Sequence, residues 1–210
     1  MARPRAADHE QKRRAILEHS AKLFADGGYT RTSMSEIAAA CGSSKALLYP
    51  YYANKEQLLH DLLTAHFGRL EEAIQAADSS DLPPVERLRR LIAALLAAYE
   101  GADALHKVQL NELTALPLER QQELKSYERR LVDRFASVLR DINPALGRGN
   151  RLLKPVTMSL FGMINWSYLW FRPNRPLSRT AYADLVTQMT VDGIANLRPD
   201  AVVRTTTRAR

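Results

Sequence analysis

The chain has 210 residues, of which 46% are hydrophobic, so it can bury a substantial core and a disordered protein is excluded. Its formal net charge of +7 favours a polyanionic partner such as nucleic acid, although the same charge suits any basic soluble protein. The single cysteine, Cys41, excludes an internal disulfide framework and a multi-cysteine zinc site, and it fits a reducing cytoplasm. No apolar run approaches the roughly 18 residues of a membrane span, and we expect neither export nor membrane insertion.

Apolar residues recur at three- and four-residue spacing along most of the chain, whereas strand-like alternation is rare, so we expect an all-α fold. The first helix is predicted from His9 to Asp26, ending at Gly27 and Gly28. Its buried stripe is expected to contain Ile16, Leu17, Ser20, Ala21, Leu23 and Phe24.

The next elements are predicted from their capping residues. Ser33 and Glu36 form a capping box, so a second helix begins at Met34, and Gly42 ends it after about two turns. A third helix is predicted from Ser44 to roughly Tyr51. Asn54 with Gln57 is a second cap-and-return pair, after which a longer helix begins at Lys55.

Five more helices are predicted near 84–100, 103–116, 118–141, 151–171 and 178–196, separated by proline- and glycine-bearing segments. The expected organisation is an N-terminal domain at 9–69 joined by the long helix to a C-terminal domain at 70–200. The basic tail from Arg198 onward is expected to fray.

The second and third helices have the dimensions of a helix-turn-helix, in which the second of the two helices enters the DNA major groove. Ala38 is small where the helices would cross, Gly42 suits a left-handed turn, and Leu48 would point into the core. A plain helical hairpin is the alternative that this spacing leaves open.

The run from Ile16 to Leu63 also resembles the DNA-binding domain of the TetR/AcrR family of bacterial transcriptional repressors. The matching segments are LFADGGY, TSMSEIA, the Gly42 turn, SKALLY and NKEQLL. The resemblance implies a three-helix DNA-binding domain followed by a helical bundle that binds a small effector and forms a homodimer. The remaining two thirds of the chain match only in general plan.

The resemblance assigns DNA contacts to the third helix and its flanks. Lys45 and Tyr49 offer phosphate oxygens a charge and a hydroxyl donor, and residues 44–47 would meet the bases. The backbone would be held by Thr32 and Ser33 before the second helix and by Lys55 at the start of the fourth. The expected DNA-binding set is Thr32, Ser33, Ser43, Ser44, Lys45, Ala46, Leu47, Tyr49, Tyr51 and Lys55.

Pro50 departs from the family pattern, which often has histidine or another polar residue at this position. Because proline has no amide for the carbonyl of Ala46, the third helix should end or tighten near Tyr49, and one expected DNA contact is missing. The basic arm before the first helix could add phosphate or minor-groove contacts, although such arms are usually solvated. Its cations are Arg3, Arg5, Lys12, Arg13 and Arg14.

The last two helices carry more apolar surface than terminal helices need, which supports a homodimer modestly. The apolar residues are Val156, Leu160, Phe161, Ile164, Tyr168 and Phe171 in the first, and Tyr182, Leu185, Val186, Met189 and Ile194 in the second. A two-fold dimer would place its recognition helices about 34–36 Å apart and require a palindromic, double-stranded operator.

The segment FGMINWSYLWFRP resembles a stretch of family members that sense acyl-CoA thioesters, so an acyl-CoA is the candidate effector. Cations for its phosphates would come from the helix at 118–141. The candidate effector residues are His106, Asn111, Arg129, Arg130, Asn165, Trp166 and Trp170, with Arg134 and Glu112 as further possibilities. In the alternative, the tryptophans pack in the core or dimer interface, and the arginines form i,i+4 pairs with Glu123 and Glu128.

The sequence shows no catalytic motif, no histidine pair at metal-ligand spacing and no cofactor-binding loop, so we expect neither an enzyme nor a metal or cofactor site. The prediction is a cytoplasmic, homodimeric regulator, a repressor that a small effector releases from its operator. Two rival classes stay open: a ligand-independent architectural DNA-binding protein, and an acyl-CoA-binding enzyme or carrier.

Overall fold

The computed structural model describes residues 3–150, 152–172 and 177–197, and these residues form helices joined by turns. In chain order the α-helices are α1 (Arg3–Gly27), α2 (Met34–Ala40), α3 (Lys45–Leu48), α4 (Lys55–Ala77), α5 (Pro84–Ala98), α6 (Asp103–Glu112), α7 (Leu118–Ile142), α8 (Leu153–Asn165), α9 (Ser167–Trp170) and α10 (Arg179–Ala195). Short 3-10 helices occupy Leu113–Ala115 and Pro144–Asn150. The all-α prediction is confirmed, while the basic tail from Arg198 and the segment 173–176 lie outside the described residues.

The chain folds into two compact units. The first contains the residues up to Arg69 together with Gly101–Tyr127, and within it α6 packs along α1. Its core contains Phe24, Ile37, Leu48, Tyr52 and Phe67, each at most 1% exposed. The N-terminal helices therefore share a core with α6 and the start of α7. The division into domains at 9–69 and 70–200 stays a prediction, because residues 101–127, which that division assigns to the C-terminal domain, pack with the N-terminal segment.

The second unit contains Leu70–Glu100 and the described residues from Glu128 onward. Helix α10 packs against α5 and α8, and the rings of Phe135 and Phe161 meet edge to face at 5.1 Å. The end of α4 is fixed by Asp78, whose carboxylate accepts hydrogen bonds from Arg87 and Arg134. These hydrogen bonds, that from Arg87 foremost, lower the pKa of Asp78.

Both caps predicted from the sequence are present. The Ser33 hydroxyl accepts a hydrogen bond from the Glu36 amide at 3.2 Å, and the Ser33 amide donates to the Glu36 carboxylate at 2.6 Å. Asn54 accepts from the Gln57 amide at 2.8 Å, while Gln57 returns to the amide of Ala53 rather than to that of Asn54. Met34 and Lys55 consequently begin their helices, as predicted.

Four helix boundaries differ clearly from prediction, and one of them is that of α6, which ends at Glu112 rather than near residue 116. Helix α1 begins at Arg3 rather than His9, because its first turns are rich in polar residues and so lack the apolar spacing that marks a helix. Helix α3 ends at Leu48 rather than Tyr51. The helix expected at 151–171 is two helices, since α8 ends at Asn165 and α9 starts at Ser167.

Among the residues that the structure describes, no helix combines the length and the apolar character that crossing a bilayer requires.

Candidate functional site

The turn between α2 and α3 depends on Gly42, whose φ of +62° lies in the left-handed region. The Gly42 amide donates to the Ala39 carbonyl at 3.0 Å, and the Ser43 amide donates to the Ala38 carbonyl at 2.9 Å. These bonds close the end of α2 and redirect the chain. Ala38 is 1% exposed, so the predicted combination of a small crossing residue and a left-handed glycine is present.

Helix α3 is a single turn anchored by Leu48, which is 1% exposed. After Pro50, the amides of Tyr51 and Tyr52 both donate to the Leu48 carbonyl, at 3.0 and 3.1 Å. The chain therefore closes on Leu48 instead of continuing the helix, as the missing amide of Pro50 predicts. Tyr52 follows as a second anchor and is fully buried.

The opposite face of α3 is open to solvent. Ser44, Lys45 and Ala46 are exposed, Leu47 is 63% exposed and Tyr49 is 47% exposed. The Lys45 ammonium lies 5.8 Å from the centre of the Tyr49 ring. Five members of the expected DNA-binding set thus share one accessible surface, which we call the α3 face.

Two flanking members of that set have structural contacts of their own. Thr32 is 6% exposed, and its hydroxyl donates to the Gly28 carbonyl at 2.9 Å. The Lys55 ammonium donates to the carbonyls of Tyr29, Thr30 and Thr32 at 2.6, 3.2 and 2.8 Å. All three of its donors are therefore used within the protein, and burial lowers the pKa of Lys55. The contacts of Thr32 and Lys55 therefore indicate that these side chains stabilise the turn before α2 rather than bind DNA phosphate directly.

The other members of the set are accessible to different degrees. Ser33 is exposed, but its hydroxyl caps α2. Tyr51 is half-buried because its ring stacks on that of His9 with centroids 4.5 Å apart. Ser43 and Tyr51 line a groove of about 310 Å³ beside α3, together with Lys12, Ala15, Ile16, Cys41, Gly42, Leu47 and Leu48. Burial raises the pKa of the Cys41 thiol in this groove, which disfavours its thiolate.

The basic arm is part of α1, and two of its cations are paired. The Lys12 ammonium contacts Asp8 at 2.8 Å, and the Arg13 guanidinium contacts Asp61 at 3.0 Å. Arg14 is exposed, whereas the side chains of Arg3 and Arg5 lie outside the described part of the structure. Their contact with DNA stays a prediction.

Two family models match the chain. Residues 16–62 match the family of bacterial regulatory proteins described as tetR family, and residues 81–194 match the tetracyclin repressor-like C-terminal domain. The chain belongs to the TetR family. The first match contains the turn at Gly42 and the α3 face, and the second covers more than half of the sequence.

Similar proteins support the same assignment. A TetR-family transcriptional regulator from Bordetella parapertussis 12822 is 34% identical, with a TM-score of 0.82 over 89% of this chain and 97% of that one. The structure of AibR in complex with isovaleryl coenzyme A and operator DNA is 33% identical, with a TM-score of 0.71 over 85% and 97% of the two chains. The repressor KstR2 from Mycolicibacterium smegmatis is 25% identical over 90% of this chain and 93% of that protein.

The candidate effector residues of this TetR-family chain are divided between the two units. His106 and Asn111 belong to the first, where His106 is fully buried and Asn111 is exposed, its amide donating to the Lys107 carbonyl. Arg129, Arg130, Asn165, Trp166 and Trp170 belong to the second. The structure therefore does not bring all seven together within one unit.

The arginines of α7 pair differently from the proposed alternative. Arg130 makes a bidentate pair with Glu71 at 2.6 and 3.0 Å, and Arg134 contacts Asp78 at 2.7 Å. These acceptors are Glu71, within α4, and Asp78, the residue after α4, and they are not the neighbours on α7 that the i,i+4 interpretation expected. Arg129 is exposed on the same helix.

The tryptophans do not lie in the core of the chain. Trp166 is 55% exposed and Trp170 is 51% exposed, although the Trp170 ring packs edge to face on Tyr182 at 5.0 Å. Asn165 accepts a hydrogen bond from the Tyr99 hydroxyl at 2.9 Å, and burial raises the pKa of that hydroxyl. The core alternative for the two tryptophans is therefore wrong, while an interface role stays open.

Helices α8, α9 and α10 carry the expected apolar excess, but of the predicted residues only Leu185 and Met189 are among the large exposed ones. Leu160, Phe161, Ile164, Phe171, Tyr182, Val186 and Ile194 are buried within the unit. The exposed apolar side chains are Met158, Trp166, Leu169, Trp170, Leu185 and Met189, each 43–56% exposed, and we call them the α8–α10 patch. Helical periodicity alone could not separate the residues facing the core from those on this patch.

Sequence reasoning missed the buried polar residues that accompany His106. His66 on α4 is 1% exposed and Gln109 on α6 is 8% exposed. His66 lies in the sequence among the apolar residues of α4, such as Leu63 and Phe67. A polar side chain in an apolar stripe is the signal that could have identified it.

Proposed function

We propose that this TetR-family chain is a homodimeric repressor that binds a palindromic operator through the α3 face and is released by an acyl-CoA thioester. The observation that carries the proposal is the α3 face, where serine, lysine, tyrosine and apolar side chains are exposed on a helix that Leu48 anchors to the core. Such a surface offers phosphates a cation and a hydroxyl, and it offers thymine methyl groups an apolar contact.

The α8–α10 patch supports the dimer. Five of its six large apolar side chains lie on α8, α9 and α10, Trp166 lies between α8 and α9, and each of the six is at least 43% exposed. A second copy seated on this patch would bury the same surface on both subunits, as a two-fold interface requires. The two α3 faces would then contact operator half-sites whose centres are about 34–36 Å apart.

The acyl-CoA effector is supported by the likeness to AibR, whose structure contains isovaleryl coenzyme A and operator DNA and is 33% identical to this chain. Arg129 is the exposed cation of the candidate set for a CoA phosphate. Arg130 and Arg134 would have to exchange their carboxylate partners for phosphate before they could serve in the same way.

The test uses the full chain and a duplex selected by it from a random pool. Fluorescence anisotropy should show binding at least about a thousandfold tighter than to random duplex, and isovaleryl-CoA should weaken it. By linkage, calorimetry should find the thioester bound more weakly to the DNA complex by the same factor. Equal affinity for random duplex would support an architectural protein, and turnover of the thioester would support an enzyme.

A further inference from the structure

The groove beside α3 lies between α1 and the turn that leads into α3, and we call it the α1–α3 groove. Its volume of about 310 Å³ is at the lower end of the range of about 300–1,000 Å³ that is typical of small-molecule sites. The groove can therefore hold a small organic ligand, and all of its lining lies within the first unit. The lining residues are Lys12, Ala15 and Ile16 of α1, Cys41, Gly42 and Ser43 of the turn, Leu47 and Leu48 of α3, and Tyr51.

The floor of the α1–α3 groove is apolar. Ile16 is 5% and Leu48 1% exposed, so both belong to the core, whereas Ala15 on α1 and Leu47 on α3 are exposed to solvent. An apolar group seated on these side chains removes their surface from water, which is favourable in proportion to the area covered. The charged backbone of DNA offers no such group, so the lining favours a ligand with an apolar body.

The polar part of the lining selects the other end of the ligand. Of the described residues that line the groove, Lys12 alone is charged at neutral pH, and Ser43 and Tyr51 add hydroxyl donors. A single carboxylate matches one ammonium in charge and accepts from both kinds of donor. Lys12 contacts Asp8 at 2.8 Å, but the two side chains are 59% and 60% exposed, and an exposed pair contributes little. Exchanging Asp8 for a ligand carboxylate therefore costs little.

We propose that the α1–α3 groove binds a small amphiphilic carboxylic acid, whose alkyl chain covers the apolar floor and whose carboxylate pairs with Lys12. Three residues of the groove, Ser43, Leu47 and Tyr51, also belong to the expected DNA-binding set. The bound acid therefore covers residues that the operator needs, and it competes with DNA from within the first unit. This consequence rests on the proposed function, because it assumes that the α3 face binds the operator.

Cys41 provides a local reporter, because it lines the groove and is the single cysteine of the chain. Mass spectrometry should show that octanoate slows the alkylation of Cys41 by iodoacetamide in the full chain, with a half-maximal effect at about 1 mM or below. The octyltrimethylammonium cation has the same alkyl chain and the opposite charge, so its protection should be at least about tenfold weaker. No protection by octanoate, or equal protection by the cation, would overturn the site.

Three variants locate the effect, each compared with its own alkylation rate without octanoate. Lys12→Ala should weaken the protection about tenfold, whereas Lys22→Ala, an exposed change on α1 outside the lining, should retain it. Ala15→Leu should abolish the protection, because the larger side chain fills the groove from an exposed position and leaves the core intact. Protection that survives both Lys12→Ala and Ala15→Leu would place the ligand elsewhere and overturn the site.

Competition with DNA distinguishes this site from the proposed function. At ten times its half-maximal concentration, octanoate should weaken binding of the wild type to the selected duplex by about tenfold, and Ala15→Leu should resist it. Protection of Cys41 without loss of duplex affinity would overturn the overlap with DNA. If octanoate protects Cys41 but the chain selects no duplex, the groove site stands and the proposed function is refuted. If isovaleryl-CoA releases the duplex while octanoate leaves Cys41 unprotected, the proposed function stands and the groove site is refuted.

Discussion

Leu47 and Leu48 are neighbours in a helix of four residues, yet Leu47 is 63% exposed and Leu48 1%. Identical side chains thus occupy different environments, one on the solvent-exposed α3 face and one in the core. Their chemistry cannot distinguish them, but the distance of each from Gly42 and Ala38 can. This is why the helix-turn-helix spacing predicted the burial of Leu48 correctly.

Lys45→Ala should weaken binding to the selected duplex while leaving the melting temperature nearly unchanged, because Lys45 is exposed and its ammonium lies 5.8 Å from the centre of the Tyr49 ring. Loss of one phosphate contact should reduce the slope of log K against log salt by about 1. Tyr49→Phe should likewise weaken binding without destabilising the fold. In contrast, Leu48→Ala should cost about 2–5 kcal/mol in urea unfolding. If Lys45→Ala unfolds the domain, its assigned role is wrong.

Lys55→Met should show the opposite pattern from Lys45→Ala. Removing the ammonium leaves the carbonyls of Tyr29, Thr30 and Thr32 without their donor, so we expect a loss of about 1–3 kcal/mol in unfolding free energy. The salt slope of DNA binding should match that of the wild type, measured at a temperature where the variant is folded. A reduced salt slope of DNA binding with unchanged stability would instead show that Lys55 contacts a DNA phosphate.

At the scale of the element, caps and glycines were predictable because each acts within four or five residues of its partner. Ser33 with Glu36, and Gly42 after α2, needed only local spacing. The break between α8 and α9 at Trp166 has no comparable local signal, and the pairing of Arg130 with Glu71 joins residues 59 positions apart. The Arg130–Glu71 pair therefore depends on tertiary contacts, which local sequence spacing does not reveal, and neither this pair nor the helix break at Trp166 could be predicted.

Gly42→Ala and Gly68→Ala form a matched pair that separates backbone strain from crowding. Neither added methyl group would meet another atom within 4 Å, so only conformation differs. Gly42 has a φ of +62°, and alanine there should cost about 1–2 kcal/mol. Gly68 lies within α4, where alanine should stabilise by roughly 0.5–1 kcal/mol. Urea unfolding measures both changes, and equal effects would refute the role of Gly42 in the turn.

At the scale of the whole molecule, the proposed specificity for a palindromic operator requires two copies of the single-turn helix α3. Met189→Asp places a charge on the α8–α10 patch at a residue that is 56% exposed in the single chain. We expect the variant to sediment as a monomer and to lose most of its affinity for the selected duplex. Gln188→Asp, an exposed neighbour on α10, is the matched charge control. A dimeric Met189→Asp protein would exclude this residue from the interface.

The pH dependence of stability tests the burial of His66. Its pKa is lowered from the ordinary 6.5 to about 3. As the pH falls, the imidazole is therefore protonated near pH 6.5 in the unfolded chain but only near pH 3 in the folded chain. The contribution is therefore complete above pH 6.5 and declines as the pH falls, by roughly 2–3 kcal/mol at pH 4.5.

Urea unfolding at pH 7.0, 5.5 and 4.5 measures this loss. Arginine partners lower the pKa values of Asp78 and Glu71 from ordinary values of 3.8 and 4.5, so their own contributions begin to decline near pH 4.5, and the change between pH 7.0 and 5.5 reports mainly on histidine. His66→Leu should remove the decline between pH 6.5 and 4.5, since leucine binds no proton in either state. A decline of the same size in this variant would show that other groups cause it, and it would also mean that the imidazole of His66 is not held neutral by burial in the first unit.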